Sequence, residues 1–95
     1  MCVITTAILL QDDARLIEAA PIILAKNSFK SNVLTFLSQK FGTAGKLMGL
    51  LKILHTVKPT QETIETINLL ETFNTEEIPA DEESILQKMR LYNAL

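Results

Sequence analysis

This sequence predicts an all-α protein, a compact bundle of four to five short helices, and three observations carry the prediction. Apolar residues recur at helical spacing along nearly the whole chain. Only three Gly and three Pro occur in 95 residues, so turns are few. The apolar share is 47%, with four Phe, one Tyr and no Trp, so the core is aliphatic and built mainly from Leu and Ile. A chain of this length makes one domain, residues 1–95. Such a domain buries roughly 60 to 70% of its unfolded surface.

The first helix is expected from Thr5 or Thr6, with Ile8, Leu9, Leu16, Ile17 and Ala20 on one face. Pro21 lacks a backbone donor and should kink or restart it. IILAK then runs to Asn27, a C-terminal stop. The β-branched run Val3, Ile4, Thr5 and Thr6 leaves a short strand over residues 2–10 as the alternative. Ser28 or Ser31 caps the next helix, which turns Phe29, Val33, Phe36, Leu37 and Phe41 inward and ends at Gly42.

A third helix is expected from about Ala44 to Val57. Leu47, Met48, Leu50, Leu51, Ile53, Leu54 and Val57 cover most of its circumference, which suits the centre of a bundle or an oligomer interface. Pro59 and the N-cap Thr60, with Glu62 in the first turn, open a fourth helix facing inward with Ile64, Ile67, Leu70 and Phe73 and stopping at Asn74. NTEEIPADEE is polar and holds Pro79, so it is a connection. The last helix starts near Ala80 or Asp81. Acidic residues open it and Lys88 and Arg90 close it, as the macrodipole favours, and its stripe is Ile85, Leu86, Met89 and Tyr92.

All three glycines lie in FGTAGKLMG, residues 41–49. A phosphate-binding loop needs G-x-x-x-x-G-K-[ST]. Here Lys40 stands where the first glycine should be, and Leu47 where the hydroxyl should be. In soluble bundles, glycines spaced i, i+4 more often mark close helix contact, which makes Gly45 and Gly49 candidate helix-packing positions.

LSQKFGTAGKLMGLLKIL resembles the helix-turn-helix of bacterial regulators. Leu37, Ser38, Phe41, Gly42, Met48 and Leu51 match that pattern in order, while Thr43 replaces its usual Val or Ile. The resemblance implies a DNA-binding regulator or antitoxin-type protein using residues 31–54. Ala44, Gly45, Lys46, Gly49 and Leu50 would then face bases, and of these only Lys46 offers a hydrogen bond to a base edge. DARLIEAAPIILAKN followed by LSQKFGTAGKLMGLL also looks something like helical segments of accessory or antitoxin-type proteins of prokaryotic defence modules.

Charge is unevenly placed. Residues 19–61 hold six lysines and no acid, while residues 62–83 hold eight acids and no base. Lys30, Lys40, Lys46 and Lys52 form a candidate charged interaction face. The acidic section of the same chain, another subunit or phosphate would answer it. Spaced lysines are also the ordinary solvated face of amphipathic helices. The middle holds no Arg, the preferred phosphate reader, and the pI near 5.3 argues against a dedicated nucleic-acid binder.

One cysteine, Cys2, excludes an internal disulfide and a cysteine-rich zinc site, and points to a reducing, cytoplasmic setting. The apolar start has no basic region and runs into Asp12 and Asp13, so a signal peptide is not expected. No apolar run approaches the roughly 18 residues of a membrane span. The single histidine, His55, is expected as a partly buried packing residue. Adjacent carboxylates such as Asp12–Asp13 and Glu76–Glu77 point apart on a helix and read as caps or solvent-facing charges. No catalytic, cofactor or metal residues are assigned. The expectation is a non-enzymatic protein–protein interaction or adaptor module that self-associates, because the third helix is too apolar for a small monomer to cover easily.

Overall fold

The computed structural model describes residues 2–11 and 13–92, and helices make up all of its regular structure. Six of them have eight or more residues: α1 (Cys2–Leu10), α3 (Ala19–Lys26), α4 (Ser31–Lys40), α5 (Ala44–Val57), α6 (Gln61–Thr72) and α7 (Glu82–Leu91). A single helical turn, α2 (Ala14–Ile17), lies between the first two.

The helix count exceeds the expected four to five because the N-terminal stretch does not form one long helix. Residues 2–10 are helical despite their β-branched run, so the strand alternative does not hold. The buried Thr6 hydroxyl is satisfied there by donating to the Cys2 carbonyl, 2.8 Å away. The break falls directly after Leu10, where an aspartate such as Asp13 opposes the macrodipole of the helix it follows. Asp12 lies outside the described residues. Pro21 restarts a helix rather than kinking one. It sits in the first turn of α3, where its missing N–H has no intrahelical acceptor to lose. Asn27 caps the end of α3 and donates its side-chain amide to the Ile23 carbonyl at 2.9 Å.

At the centre lies α5, with the bounds expected for it. Leu47, Met48, Leu50, Leu51, Ile53 and Leu54 are all buried. Its apolar girth is therefore covered within the chain, which removes the reason the sequence offered for self-association. His55 is exposed instead of packed, because Lys52, His55 and Thr56 share the one side of α5 left to solvent.

The two neighbours of α5 in sequence are rotated from their expected phase. Leu34, Thr35 and Ser38 of α4 are buried, while Val33, Phe36 and Phe41 are exposed. Likewise α6 buries Thr63, Thr66 and Leu70 and leaves Ile64 and Phe73 outside. The physical reason is that the hydroxyls need no outside partner. Thr35 donates to Ser31 O at 2.7 Å, Ser38 to Thr35 O at 2.8 Å and Thr66 to Glu62 O at 2.7 Å. These small satisfied side chains let α4 and α6 close on one another, and the large rings stay outside.

Ser31 is not a cap. It is the first residue of α4, and its hydroxyl donates to Glu65 Oε2 at 3.0 Å. Near the other end, Gln39 Nε2 donates to Thr75 Oγ1 at 3.3 Å. These two links run in the same order along both helices, so α4 and α6 are parallel and α5 returns behind them. Both end alike. Gly42 (φ 71°) and Asn74 (φ 54°) take the left-handed conformation, and Thr43 N and Thr75 N reach back to Ser38 O at 2.9 Å and Leu70 O at 3.1 Å. Thr60 caps α6 and Asp81 caps α7, accepting from Thr63 N and Ser84 N, both at 3.2 Å. Ile85 and Met89 of α7 are buried against the rest of the core, and Tyr92 is exposed instead of completing the stripe.

Candidate functional site: a groove between two parallel helices

Gly45 and Gly49 lie beneath a close neighbour, but that neighbour is not a helix. Residues 75–81, which have no regular structure, cross α5 at these two positions on their way to α7. A Cβ at Gly45 would stand 2.6 Å from the Glu76 carbonyl oxygen, and one at Gly49 would collide with the carbonyl oxygen of Ile78. Ile78 N donates to Gly45 O at 3.0 Å, which pins the crossing segment to the helix. Main chain therefore rests on main chain, which a side chain on either glycine would prevent.

The same crossing covers the side of α5 that a helix-turn-helix would present to bases. Gly49 is buried, and Ala44 and Leu50 are 9% and 1% exposed. Thr43, where that pattern favours an apolar residue, is buried with an unpartnered hydroxyl. Phe41, which the pattern would bury, is exposed.

The four lysines of the candidate charged face are distributed. Lys30 and Lys40 stand at opposite ends of α4. Lys46 and Lys52 flank the crossing segment on different sides of α5. Lys46 lies in a recess with Ile17 and Glu18 and donates to Leu9 O at 3.4 Å. Lys52 pairs with Glu77 at 2.7 Å, and this hydrogen bond, with the carboxylate's charge, holds the ammonium's pKa above its ordinary value. A second ion pair joins α7 to the residue before α3, with Lys88 Nζ 2.9 Å from Glu18 Oε2. The hydrogen bond from Lys88 is the main cause that lowers the Glu18 pKa, against a smaller desolvation in the other direction. Part of the basic middle is thus answered by the acidic section of the same chain. Among the described residues, no group of three His, Cys, Asp or Glu side chains gathers where an ion could be held. Among the same residues, no helix is long and apolar enough to cross a membrane.

The rotation of α4 and α6 builds a different site. Asn32, Thr35, Phe36 and Gln39 from α4, Leu69 from α6 and Phe73, which caps the end of α6, line an open, largely apolar groove of about 490 Å³. Phe36 is 62% exposed and Phe73 60%. Lys40 Nζ lies 6.0 Å from the Phe36 ring centre and 5.9 Å from that of Phe41, so a cation stands at the α4 rim. On the α6 side, Glu65 accepts from Ser31 and, at 3.1 Å, from Gln61. Reading Phe36 and Phe73 as core residues misses this groove. The available signal is a rival stripe at the same helical spacing: Ser31, Leu34, Thr35, Ser38 in α4 and Thr63, Thr66, Leu70 in α6.

No protein-family description, curated protein or solved structure matches this chain.

Proposed function

We propose that this protein is a non-enzymatic interaction module that docks another protein surface through the groove between α4 and α6, in a cytoplasmic setting. The observation that carries this reading is the pair of phenylalanines, each more than half exposed, on either side of one apolar groove. Aromatic side chains are the commonest anchors of protein interfaces, and contiguous apolar surface of this kind marks interaction sites. Asn32 and Gln39 supply polar groups at its edge.

The reading is tested by a Phe36→Gln/Phe73→Gln double variant. Rings that serve docking contribute little to folding, so the urea midpoint should stay within about 1 kcal/mol of the parent. Binding of an apolar fluorescent dye should fall at the same time. A loss above about 2 kcal/mol would assign the rings to the fold and overturn the reading.

The alternative, a DNA-binding regulator or antitoxin-type protein using residues 31–54, keeps the glycine turn between α4 and α5 in its favour. Against it stands the crossing segment over Gly45 and Gly49, which occupies the place of the groove floor.

A further inference from the structure

Independently of the groove between α4 and α6, we infer that residues 76–80 form a latched strap on α5. The strap lifts away while the helices beneath it stay folded, and the Lys52–Glu77 ion pair is its latch.

Both ends of the strap are anchored away from α5. Thr75 N donates to Leu70 O at 3.1 Å, and Thr75 Oγ1 accepts from Gln39 at 3.3 Å. At the other end Asp81 caps α7 by accepting from Ser84 N at 3.2 Å. Between these anchors, among the described residues, one main-chain hydrogen bond holds the strap to α5, from Ile78 N to Gly45 O at 3.0 Å. One ion pair joins it, Lys52 Nζ to Glu77 Oε1 at 2.7 Å. Glu76, Glu77, Ile78 and Pro79 are exposed. The strap thus buries little apolar side-chain surface of its own, and segments of that kind open at a lower free energy than the core beneath them. The close fit at the glycines agrees with such a motion. Main chain lying over Gly45 and Gly49 meets no interlocking side chain from those positions, so it can leave without a rotamer change there.

Pro79 and Ala80 wall a recess on each side of the strap. One, of about 190 Å³, is lined by Ile17, Leu50 and Ile85 among others, and the other, of about 300 Å³, by Gly49, Ile53 and Thr56 among others. With the strap lifted, the two become one cleft across α5 with the bare glycines in its floor. Charge is the adjustable part of the closure. The Lys52 and Glu77 side chains are 47% and 37% exposed, within reach of dissolved ions, so added salt weakens the latch.

Native-state hydrogen exchange, read residue by residue by NMR and expressed as protection relative to an unstructured chain, tests the proposal. The Ile78 amide should be at least about ten-fold less protected than the α5 amides of Leu51 and Leu54, and its exchange should rise more gently with urea, because its opening bares less surface. Glu77→Gln and Lys52→Gln should each lower Ile78 protection, relative to Leu51, by roughly two- to five-fold, the range of an exposed ion pair. The double variant should go no further than either single change. Raising salt should do the same to the parent and have little effect on the variants. Glu76→Gln removes a neighbouring charge but not the pair, and should leave the ratio unchanged. An Ile78 amide protected as strongly as Leu51, with the same urea dependence, would show that the segment opens only with the whole fold and overturn the strap. Weak protection at Ile78 that ignores salt and both latch variants, or responds equally to Glu76→Gln, would overturn the latch.

Discussion

At Gly49 an added methyl group would meet the Ile78 carbonyl, and at Gly45 it would meet the Glu76 carbonyl at 2.6 Å. Both obstacles are main chain, which cannot swing aside as a side chain can. Gly49→Ala should therefore destabilise the protein by about 1 to 3 kcal/mol, even after the helix-propensity gain of up to about 1 kcal/mol. Gly42→Ala differs in cause. Nothing stands within 4 Å of its added Cβ, and the loss, about 1 kcal/mol, comes from the positive φ alone. Urea denaturation of the three chains separates the two mechanisms, and a Gly49→Ala midpoint at or above the parent's would refute the close contact. Thr43 is opposite in sign. It is 3% exposed and its hydroxyl has no partner, so Thr43→Val should raise stability by up to about 1 kcal/mol in the same experiment. The glycine spacing is legible in the sequence as a site of close approach. What approaches is not, because residues 33 positions away carry no local periodicity that points to α5.

Among the elements, the stops from Asn27 onward and the starts of α6 and α7 are the legible part. Thr60, Asp81, Asn27, Gly42 and Asn74 all act where their chemistry suggests, since a cap is a local interaction within a few residues. The facing of α4 and α6 is not legible, since hydrophobic periodicity counts every threonine as polar. In these helices the threonines close their own hydrogen bonds and pack as small side chains. Thr35→Leu tests this. On a helix of the expected phase position 35 would face solvent and the change would be close to neutral, but between α4 and α6 it should overpack and lower stability by about 1 to 3 kcal/mol, read from thermal denaturation. The docking of α7 has a pH signature. The Glu18 carboxyl is held below its ordinary pKa by Lys88, so the pair contributes stability above the ordinary carboxylate range. That contribution is lost as pH falls through the depressed value. Glu18→Gln should cost about 0.5 to 1 kcal/mol at neutral pH, with the gap to the parent closing in strong acid.

For the whole molecule, a radius of gyration of 11.7 Å is that of a tightly folded chain of this length, for which about 12 Å is usual. The exposed phenylalanines are thus not the product of a loosened core. The same scale bears on nucleic acid. With Lys52 paired to Glu77, Lys46 turned to a backbone carbonyl and Leu50 buried, the basic middle presents no continuous strip. Duplex DNA titrated at low salt should show no saturable binding by fluorescence anisotropy. Tight binding that fell steeply with added salt would restore the helix-turn-helix reading. Net charge along the sequence is plainly legible, but where the charges meet depends on the path of the chain after α6.

The crossing of α5 by residues 75–81 also divides the freedom to vary unequally between its two sides. Gly45 and Gly49 can accept no other residue without moving main chain. The segment above them contributes carbonyls, the Ile78 N–H and the Ile78 side chain, which lies against Gly45 although it is 51% exposed. Across a library of single substitutions, the two glycines should therefore be nearly invariant among folded members. Position 78 should vary more widely, since its side chain is half exposed, but should reject proline, which has no N–H to give to Gly45. Divergent descendants of this chain would keep a bare stripe on one helix and let the letters written across it drift.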